Sequence, residues 1–316
     1  MNIVILDWST MCCGDDLSPD IFGKYGNVTA YPLTAPHETI SRIGDAEIVL
    51  CNKVLITREV MDSCPNLRYI GLFATGFNNV DVEYAAQKGI TVCNAGQYST
   101  NAVAQQVFAY ILDYCSRIRD YDNDVKDGGW EKSPCFSYFP FPTAEMDGKT
   151  LSVIGFGSIG RRVAELGAAF GMKILVNSRT VPENCPYEVC DFDTAVKNAD
   201  FLTFHCPLTD KTKGIVNTNM LRIMKKSAVL INTSRGPVVN EADLAEALKN
   251  GTISAAYLDV LEKEPMASDT PMKSAKNCVI TPHTAWAAYE TRVRLLNIVS
   301  ENIKFWLDNK PQNKVN

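Results

Sequence analysis

Short apolar runs, each about one strand long, alternate along this chain with stretches whose apolar positions recur at helical spacing. In the first part, Ile3–Leu6, Glu47–Leu50, Arg68–Phe73 and Ile90–Cys93 predict strands, with helical stretches near Glu38–Ile43, Arg58–Asp62 and Asp81–Gln87 between them. Strict alternation of strand and helix predicts a parallel sheet covered on both faces, so most of residues 1–95 form one small α/β domain. Asn101–Arg117 follows, with Val103, Val107, Ile111 and Leu112 on one face, and is long enough to bridge two domains. Residues 127–149 hold Gly128, Gly129, Pro134, Pro140 and Pro142 among aromatics, which predicts an irregular excursion over the surface, suited to packing on a partner subunit.

The beat restarts at residue 150, with strands expected at 151–154, 172–176, 200–204, 228–231 and 255–258. Helices fall between them, among them Glu241–Lys249, closed by Gly251. The last helical stretch, Ala287–Leu307, carries Val293, Leu296, Ile298 and Ile303 and comes after these strands are used up. It is therefore expected to return to the first domain. The predicted organisation is two α/β domains with parallel sheets: residues 1–98 with 287–316, and residues 99–286.

Between the strand Leu151–Ile154 and a helix expected over Arg161–Phe170 sits Gly155-Phe156-Gly157-Ser158-Ile159-Gly160. A strand, a glycine loop and a helix in that order are the context in which such a run binds a dinucleotide. Gly155 permits the tight turn, Gly157 lets the backbone approach a pyrophosphate, and Gly160 lets the helix pack on the sheet. The helix N-terminus offers N–H groups and a positive dipole end to the phosphates. An enzyme that uses NAD usually carries an acid about 20 residues on, for the ribose 2′-hydroxyl. Here the next strand, Met172–Val176, runs into Asn177-Ser178-Arg179-Thr180, and no carboxylate follows until Glu183. Ser178 and Arg179 suit a 2′-phosphate, which an arginine fork binds in bidentate fashion, so NADP(H) is the expected cofactor. The alternative is a solvated Arg179 and an enzyme that accepts NAD(H) without the carboxylate.

Composition narrows the field. The chain has 316 residues, room for two domains with substantial cores, and is 46% hydrophobic and 21% charged, as globular domains are. A net charge of −5 gives no electrostatic case for nucleic acid, and no apolar run approaches a membrane span of roughly 18 residues. The start, Met1–Asp7, reads as a first strand and not as a signal peptide. Eleven scattered cysteines without CxxC pairs suit reduced thiols in the cytoplasm, and three histidines without ligand spacing give no zinc site, so no metal is expected. Cys12-Cys13 reads as a loop of small apolar residues, and His37 as a surface residue.

Three ionisable residues stand beyond late elements: Arg235 in Asn232-Thr233-Ser234-Arg235-Gly236, Glu264 in Asp259-Val260-Leu261-Glu262-Lys263-Glu264-Pro265, and His283 in Thr281-Pro282-His283-Thr284-Ala285-Trp286. Open α/β sheets bind ligands outside the carboxyl ends of their strands, so the three can share one crevice. Hydride chemistry on a 2-oxo acid needs these types. Arginine aligns the carboxylate, histidine supplies a proton to the developing alkoxide, and a carboxylate orients the imidazole and keeps it protonated.

With these residues in view, the chain resembles the D-isomer-specific 2-hydroxyacid dehydrogenase family over nearly its full length. The matching stretches are Ala74-Thr75-Gly76-Phe77-Asn78-Asn79-Val80-Asp81, the 155–160 run, His205-Cys206-Pro207-Leu208-Thr209, Asn232–Gly236, Asp259–Pro265 and Pro282-His283. Asn52-Lys53-Val54, Ala74-Thr75-Gly76, Gly129-Trp130 and His283-Thr284-Ala285-Trp286-Ala287 look most like the glycerate dehydrogenase, or hydroxypyruvate reductase, branch. The resemblance implies a Rossmann cofactor domain and a smaller flavodoxin-like substrate domain, a cleft between them, and a homodimer built through the cofactor domain. It implies that His283 exchanges the proton, Glu264 is its partner and Arg235 anchors a small 2-oxo or 2-hydroxy acid. Amides of Thr75 and Gly76 hold the substrate carboxylate. Asp259 and the Thr233 carbonyl hold the nicotinamide carboxamide, Ser158 and Ile159 meet the pyrophosphate, Cys206 and Pro207 line the adenosine side, and Thr212 lies close to the phosphates. Lys53, as a second positive group, and Trp286, as a pocket wall, are further substrate-side candidates; His205 supports the cofactor loop. Reduction of hydroxypyruvate, with glyoxylate as a side activity, is the implied reaction. D-3-phosphoglycerate dehydrogenase asks for basic residues not found beyond Lys53. A corepressor that only senses dinucleotide is disfavoured by the intact Arg–Glu–His set.

Overall fold

The computed structural model describes residues 1–316, which divide into two compact units: Met1–Ser99 with Ala287–Asn316, and Thr100–Trp286. The first unit opens with strand β1 (Asn2–Ile5), then β2 (Asn27–Ala30), helix α1 (Thr39–Ile43), β3 (Ile48–Cys51), α2 (Arg58–Ser63), β4 (Tyr69–Leu72), α3 (Val82–Gln87) and β5 (Thr91–Cys93). All five strands are parallel, in the order β2-β1-β3-β4-β5. That is the order of the smaller doubly wound folds, with its reversal between β1 and β3. β3 and β4 are buried at every position, as their continuous apolar runs require. β2 escapes the sequence pattern because it is a mostly exposed edge, Asn27-Val28-Thr29-Ala30, ordered by its pairing to β1.

At the reversal, buried Asp7 follows β1, and its carboxylate accepts from the amides of Asn52 at 2.8 Å, Lys53 at 2.6 Å and Val54 at 3.2 Å. Burial pushes this carboxyl above its ordinary value, and the three amides oppose the shift. Their bonds fold the loop that carries Lys53.

The second unit begins with α4 (Thr100–Ser116) and α5 (Ile118–Lys126). It continues through β6 (Thr150–Ile154), α6 (Ser158–Ala169), β7 (Lys173–Asn177), β8 (Glu188–Val189), α7 (Phe192–Asn198), β9 (Phe201–Phe204), α8 (Thr218–Ile223), β10 (Val229–Asn232), α9 (Glu241–Lys249), β11 (Ala255–Leu258) and β12 (Cys278–Ile280). Its seven strands are all parallel, in the order β12-β11-β10-β9-β6-β7-β8, so the sequence of strands reverses between β6 and β9. α4 lies wholly in this unit, where Val107, Phe108 and Ile111 share a core with Val163 and Ala164 of α6. β8 and β12, both at the sheet edges, carry no run of buried residues that a pattern could reveal.

After the second unit, α10 (Tyr289–Leu307) rejoins the first, burying Leu295, Leu296, Val299 and Ile303. The tail then pairs with β5: the Val315 amide donates to the Val92 carbonyl at 2.9 Å, and Asn316 accepts from the Val92 amide at 3.0 Å. This covers an otherwise open sheet edge. Near the start of α10, buried Arg292 forks onto both oxygens of Asp16, at 2.9 and 2.6 Å. The guanidinium, helped by the Cys13 amide, holds the Asp16 carboxyl down at about 2, against an ordinary 3.8.

A carboxyl depressed by the fold adds stability above its unfolded value and loses that contribution as pH falls through its folded one. Asp16→Asn is therefore expected to lower stability at neutral pH and to flatten the decline between the ordinary 3.8 and about 2. Urea-unfolding midpoints across that range check this; parallel declines in the two proteins contradict it.

Candidate active site

The loop after β6 lies at the reversal of strand order, where doubly wound sheets open a crevice. Gly155 has φ +95°, and a Cβ on it would come within 2.7 Å of the backbone of His205 and Cys206, which follow β9. The His205 amide donates to the Ile154 carbonyl at 2.7 Å, so the two loops are seated on each other. α6 begins at Ser158, earlier than the expected 161, because Gly157 already serves as its N-cap. The amides of Ser158, Ile159 and Gly160 thereby fall in a first turn, whose N–H groups have no intrahelical partner. Gly160 packs on the Gly155 carbonyl with no room for a side chain. Gly157 differs: its φ of −74° is ordinary, and a Cβ there would meet nothing within 4 Å. Nothing in the chain's own packing demands glycine at 157, whereas a pyrophosphate drawn against the helix N-terminus does.

At the end of β7, Asn177 donates to the Cys190 carbonyl at 2.9 Å, and just beyond it the Ser178 hydroxyl donates to the Thr180 carbonyl at 3.2 Å. Arg179 is exposed, and the first carboxylate after the strand, Glu183, is also exposed. The His205 ring bonds the Thr203 hydroxyl at 3.0 Å, and burial pushes its imidazole down to about 3, so it is neutral. Burial likewise pushes the Cys206 thiol up. Pro207 accepts the Thr212 hydroxyl at 2.7 Å, and that hydroxyl accepts from the Thr209 amide at 2.8 Å. Thr212 therefore folds the 207–212 turn; its side chain is engaged there and is not a ready phosphate donor.

Arg235 follows β10 in a turn built by buried Asn232. The Asn232 side chain accepts from the Ser234 amide at 3.0 Å and donates to the Arg235 carbonyl at 2.9 Å. The Arg235 side chain is exposed, with Nη1 donating to the Ser234 carbonyl at 2.7 Å. Beside it the Thr233 hydroxyl is buried without a partner from the chain, a state costing roughly 1–3 kcal/mol. Gly236 abuts the Leu261 carbonyl so closely that no Cβ fits, which joins the loops after β10 and β11.

In the loop after β11, Glu264 Oε1 accepts from the Leu261 amide at 3.1 Å and Oε2 meets His283 Nδ1 at 2.7 Å. His283 has φ +56°, a left-handed conformation that costs roughly 1–2 kcal/mol in a residue other than glycine. Asp259 compensates for that cost. Its Oδ1 accepts from the Thr281 hydroxyl at 2.5 Å and the Thr284 amide at 2.8 Å, its Oδ2 from the Ala285 amide at 3.0 Å, and its carbonyl from the His283 amide at 2.8 Å. Tyr110 of α4 bonds the same Thr281 hydroxyl. Asp259 is 2% exposed with both carboxylate oxygens engaged, so the structure makes it the frame of the histidine loop; three donors leave the carboxylate one further acceptor position. Trp286, half-buried, ends the segment.

In the first unit, Lys53 is exposed after β3, and Thr75 and half-buried Gly76 follow β4. The Thr75 hydroxyl donates to the Gly96 carbonyl at 2.5 Å and its carbonyl accepts from Asn94 at 2.7 Å. The supports Asp7, Asn232, Thr281 and Tyr110 were not singled out from sequence. Their only signal there is a polar residue at a strand end or in a buried helix face.

A doubly wound parallel sheet with an open glycine loop at its reversal, and an imidazole–carboxylate pair beyond its later strands, defines a dinucleotide-dependent oxidoreductase. Residues 108–285 match the family model "D-isomer specific 2-hydroxyacid dehydrogenase, NAD binding domain". The chain is 40% identical to a hydroxypyruvate reductase of Blautia hydrogenotrophica, covering 100% of both chains. It is 37% identical to a glycerate dehydrogenase of Methylorubrum extorquens, over 89% of this chain and 88% of the relative. The solved structure of an NADPH-dependent glyoxylate/hydroxypyruvate reductase from Sinorhizobium meliloti, in complex with citrate, superposes with a TM-score of 0.85 at 26% identity, covering 99% of this chain and 97% of that one. The chain belongs to the D-isomer-specific 2-hydroxyacid dehydrogenase family. No helix in it is long and apolar enough to cross a membrane.

Gly157→Ala is expected to change stability by about 1 kcal/mol or less, the scale of an N-cap exchange. The same change should weaken NAD(P)H binding on the order of 10-fold or more, since the new methyl occupies the phosphate approach. Thermal melts and fluorescence titration check both; unchanged affinity contradicts the assignment.

Proposed function

We propose that this enzyme reduces hydroxypyruvate to D-glycerate, with glyoxylate as a secondary substrate. The bond between His283 and Glu264, in a loop braced by Asp259, is the observation that carries the reading. When bound, the nicotinamide supplies hydride to C2 of the 2-oxo acid. Arg235 holds the substrate carboxylate in a charged fork and polarises the carbonyl. His283, tied to Glu264 through Nδ1, delivers a proton from Nε2 to the C2 oxygen as the alcohol forms. Glu264 fixes the ring's tautomer and plane. The proposed part of the first unit is to hold substrate through the Thr75 and Gly76 amides and Lys53, and Trp286 is assigned to the pocket wall. The hydroxypyruvate and glycerate activities of the two named relatives favour this substrate class.

The cofactor side is assigned to Gly155, Gly157, Gly160 and the first-turn amides of Ser158 and Ile159. His205, Cys206, Pro207 and Thr212 shape the facing loop, and the Thr233 turn and the Asp259 frame lie on the nicotinamide side. NADP(H) is the proposed preference over NAD(H): half-buried Ser178 and exposed Arg179 follow β7, the position at which an acid usually serves NAD, and the Sinorhizobium meliloti neighbour is NADPH-dependent. A homodimer through the second unit is also proposed, supported by Phe136 at 89% and Phe139 at 84% exposure in the irregular 127–149 segment. Eleven unpaired thiols suit a cytoplasmic setting.

His283→Ala is expected to lower kcat for hydroxypyruvate by about 10²–10⁴-fold while leaving cofactor affinity intact. Steady-state kinetics beside NAD(P)H titration checks it; near-normal turnover removes the proton-transfer role. Arg179→Ala is expected to weaken NADPH by on the order of 10-fold or more, and NADH little, because only NADPH carries the 2′-phosphate. Paired KM values for the two cofactors test this, and equal losses contradict it.

A further inference from the structure

Glu241 opens α9 and is 9% exposed, an unusual depth for an acid. It is not the cap of its helix, because the Asn240 side chain already accepts from the Asp243 amide at 3.1 Å. Its two oxygens reach instead to two points on one loop. Oε1 accepts from the Glu262 amide at 2.7 Å, and Oε2 accepts from the Thr270 hydroxyl at 2.5 Å. Glu262 precedes Glu264 and Thr270 follows it, so one buried carboxylate ties the loop down on both sides of the residue that meets His283. The segment between these anchors contains neither helix nor strand, so side-chain bonds do most of its positioning. At the loop's near end, Leu261 is pressed against Gly236 and donates its amide to Glu264. The charge of Glu241 also reaches Cys278, the first residue of the strand leading to His283: burial first, and Glu241 second, push that thiol up to about 12.

We propose that Glu241 is a positioning residue for the reaction: it holds the 261–270 loop so that Glu264 stays on Nδ1 of His283. This rests on the reading of Glu264 and His283 as the proton-transfer pair. A carboxylate that shields no reacting atom can still govern rate, since a misplacement of about 1 Å in a catalytic group can cost up to about 10²-fold.

The test is a double-mutant cycle on the full-length enzyme, read as kcat with the best 2-oxo acid of a small panel and as NAD(P)H Kd by fluorescence. Glu241→Ala is expected to lower kcat about 10- to 10²-fold. Its cofactor Kd should stay within about two-fold, since no cofactor contact is lost. Combined with Glu264→Gln, it should cost little beyond Glu264→Gln alone, because both act through one contact. Glu241→Gln, which keeps an acceptor for the Glu262 amide, should recover most of the rate. Thr270→Val, which removes a single anchor, carries the same cycle if the alanine variant does not fold; it is expected to lose a few-fold in kcat, again without adding to Glu264→Gln. If Glu264→Gln is slow but the loop variants turn over normally, or their losses multiply with it, the positioning role is overturned. If Glu264→Gln itself turns over like the wild type, the reading of the pair fails and the proposal fails with it.

Discussion

The chemistry of the second unit depends on one buried carboxylate. Asp259 gathers a hydroxyl and two amides onto its side chain and a third amide onto its carbonyl, all from the five residues 281–285. Without that gathering, a histidine at φ +56° has no reason to stay there, since a left-handed backbone is unfavourable for any residue with a side chain. The imidazole is aimed by backbone geometry first and by Glu264 second. Packing supplies the rest of the rigidity. Asp259 continues the end of β11 and donates its amide to the Asn232 carbonyl at the end of β10, and the loops that follow these strands are pressed together where Gly236 meets Leu261. Arginine, glutamate and histidine come from segments distant in sequence, yet adjacent parallel strands deliver all of those segments to the same end of the sheet.

Much of this was legible before the structure. Buried parallel strands require apolar runs, so β1, β3, β4, β5, β6, β7, β9, β10 and β11 are legible in the sequence, and so is the glycine loop between β6 and α6. Of the edge strands only β5, whose Val92 and Cys93 are buried, shows itself. β2 is nearly all exposed, β8 is two exposed residues, and β12 is never fully buried. Their order comes from a neighbouring backbone, which leaves little trace in side-chain identity. The site divides in the same way. Arg235, Glu264 and His283 were visible because their types and motifs carry chemistry. Asp7, Asn232 and Glu241 were not, because a buried acid or amide reads in sequence like any solvated one until its donors are known. Asp259 and Thr212 were visible as ligand-side residues, and the structure adds the bonds by which each folds its own loop.

The glycines of the 155–160 run separate into two kinds. Gly155 and Gly160 are fixed by the protein's own crowding, and Gly157 is not. A residue left small where the fold leaves it free to be large is not explained by the chain's own packing. The Thr233 hydroxyl is likewise buried without a hydrogen-bond partner from the chain.

Both units are doubly wound, and both place a cluster of backbone amides where their strand order reverses. In the second unit those amides remain open. In the first they are already claimed by the Asp7 carboxylate, which accepts from three consecutive N–H groups. The Asp7 side chain thus does for the loop after β3 what a bound acceptor does elsewhere, and does it from within the chain. That loop's shape is set by folding alone and needs no second molecule to complete it.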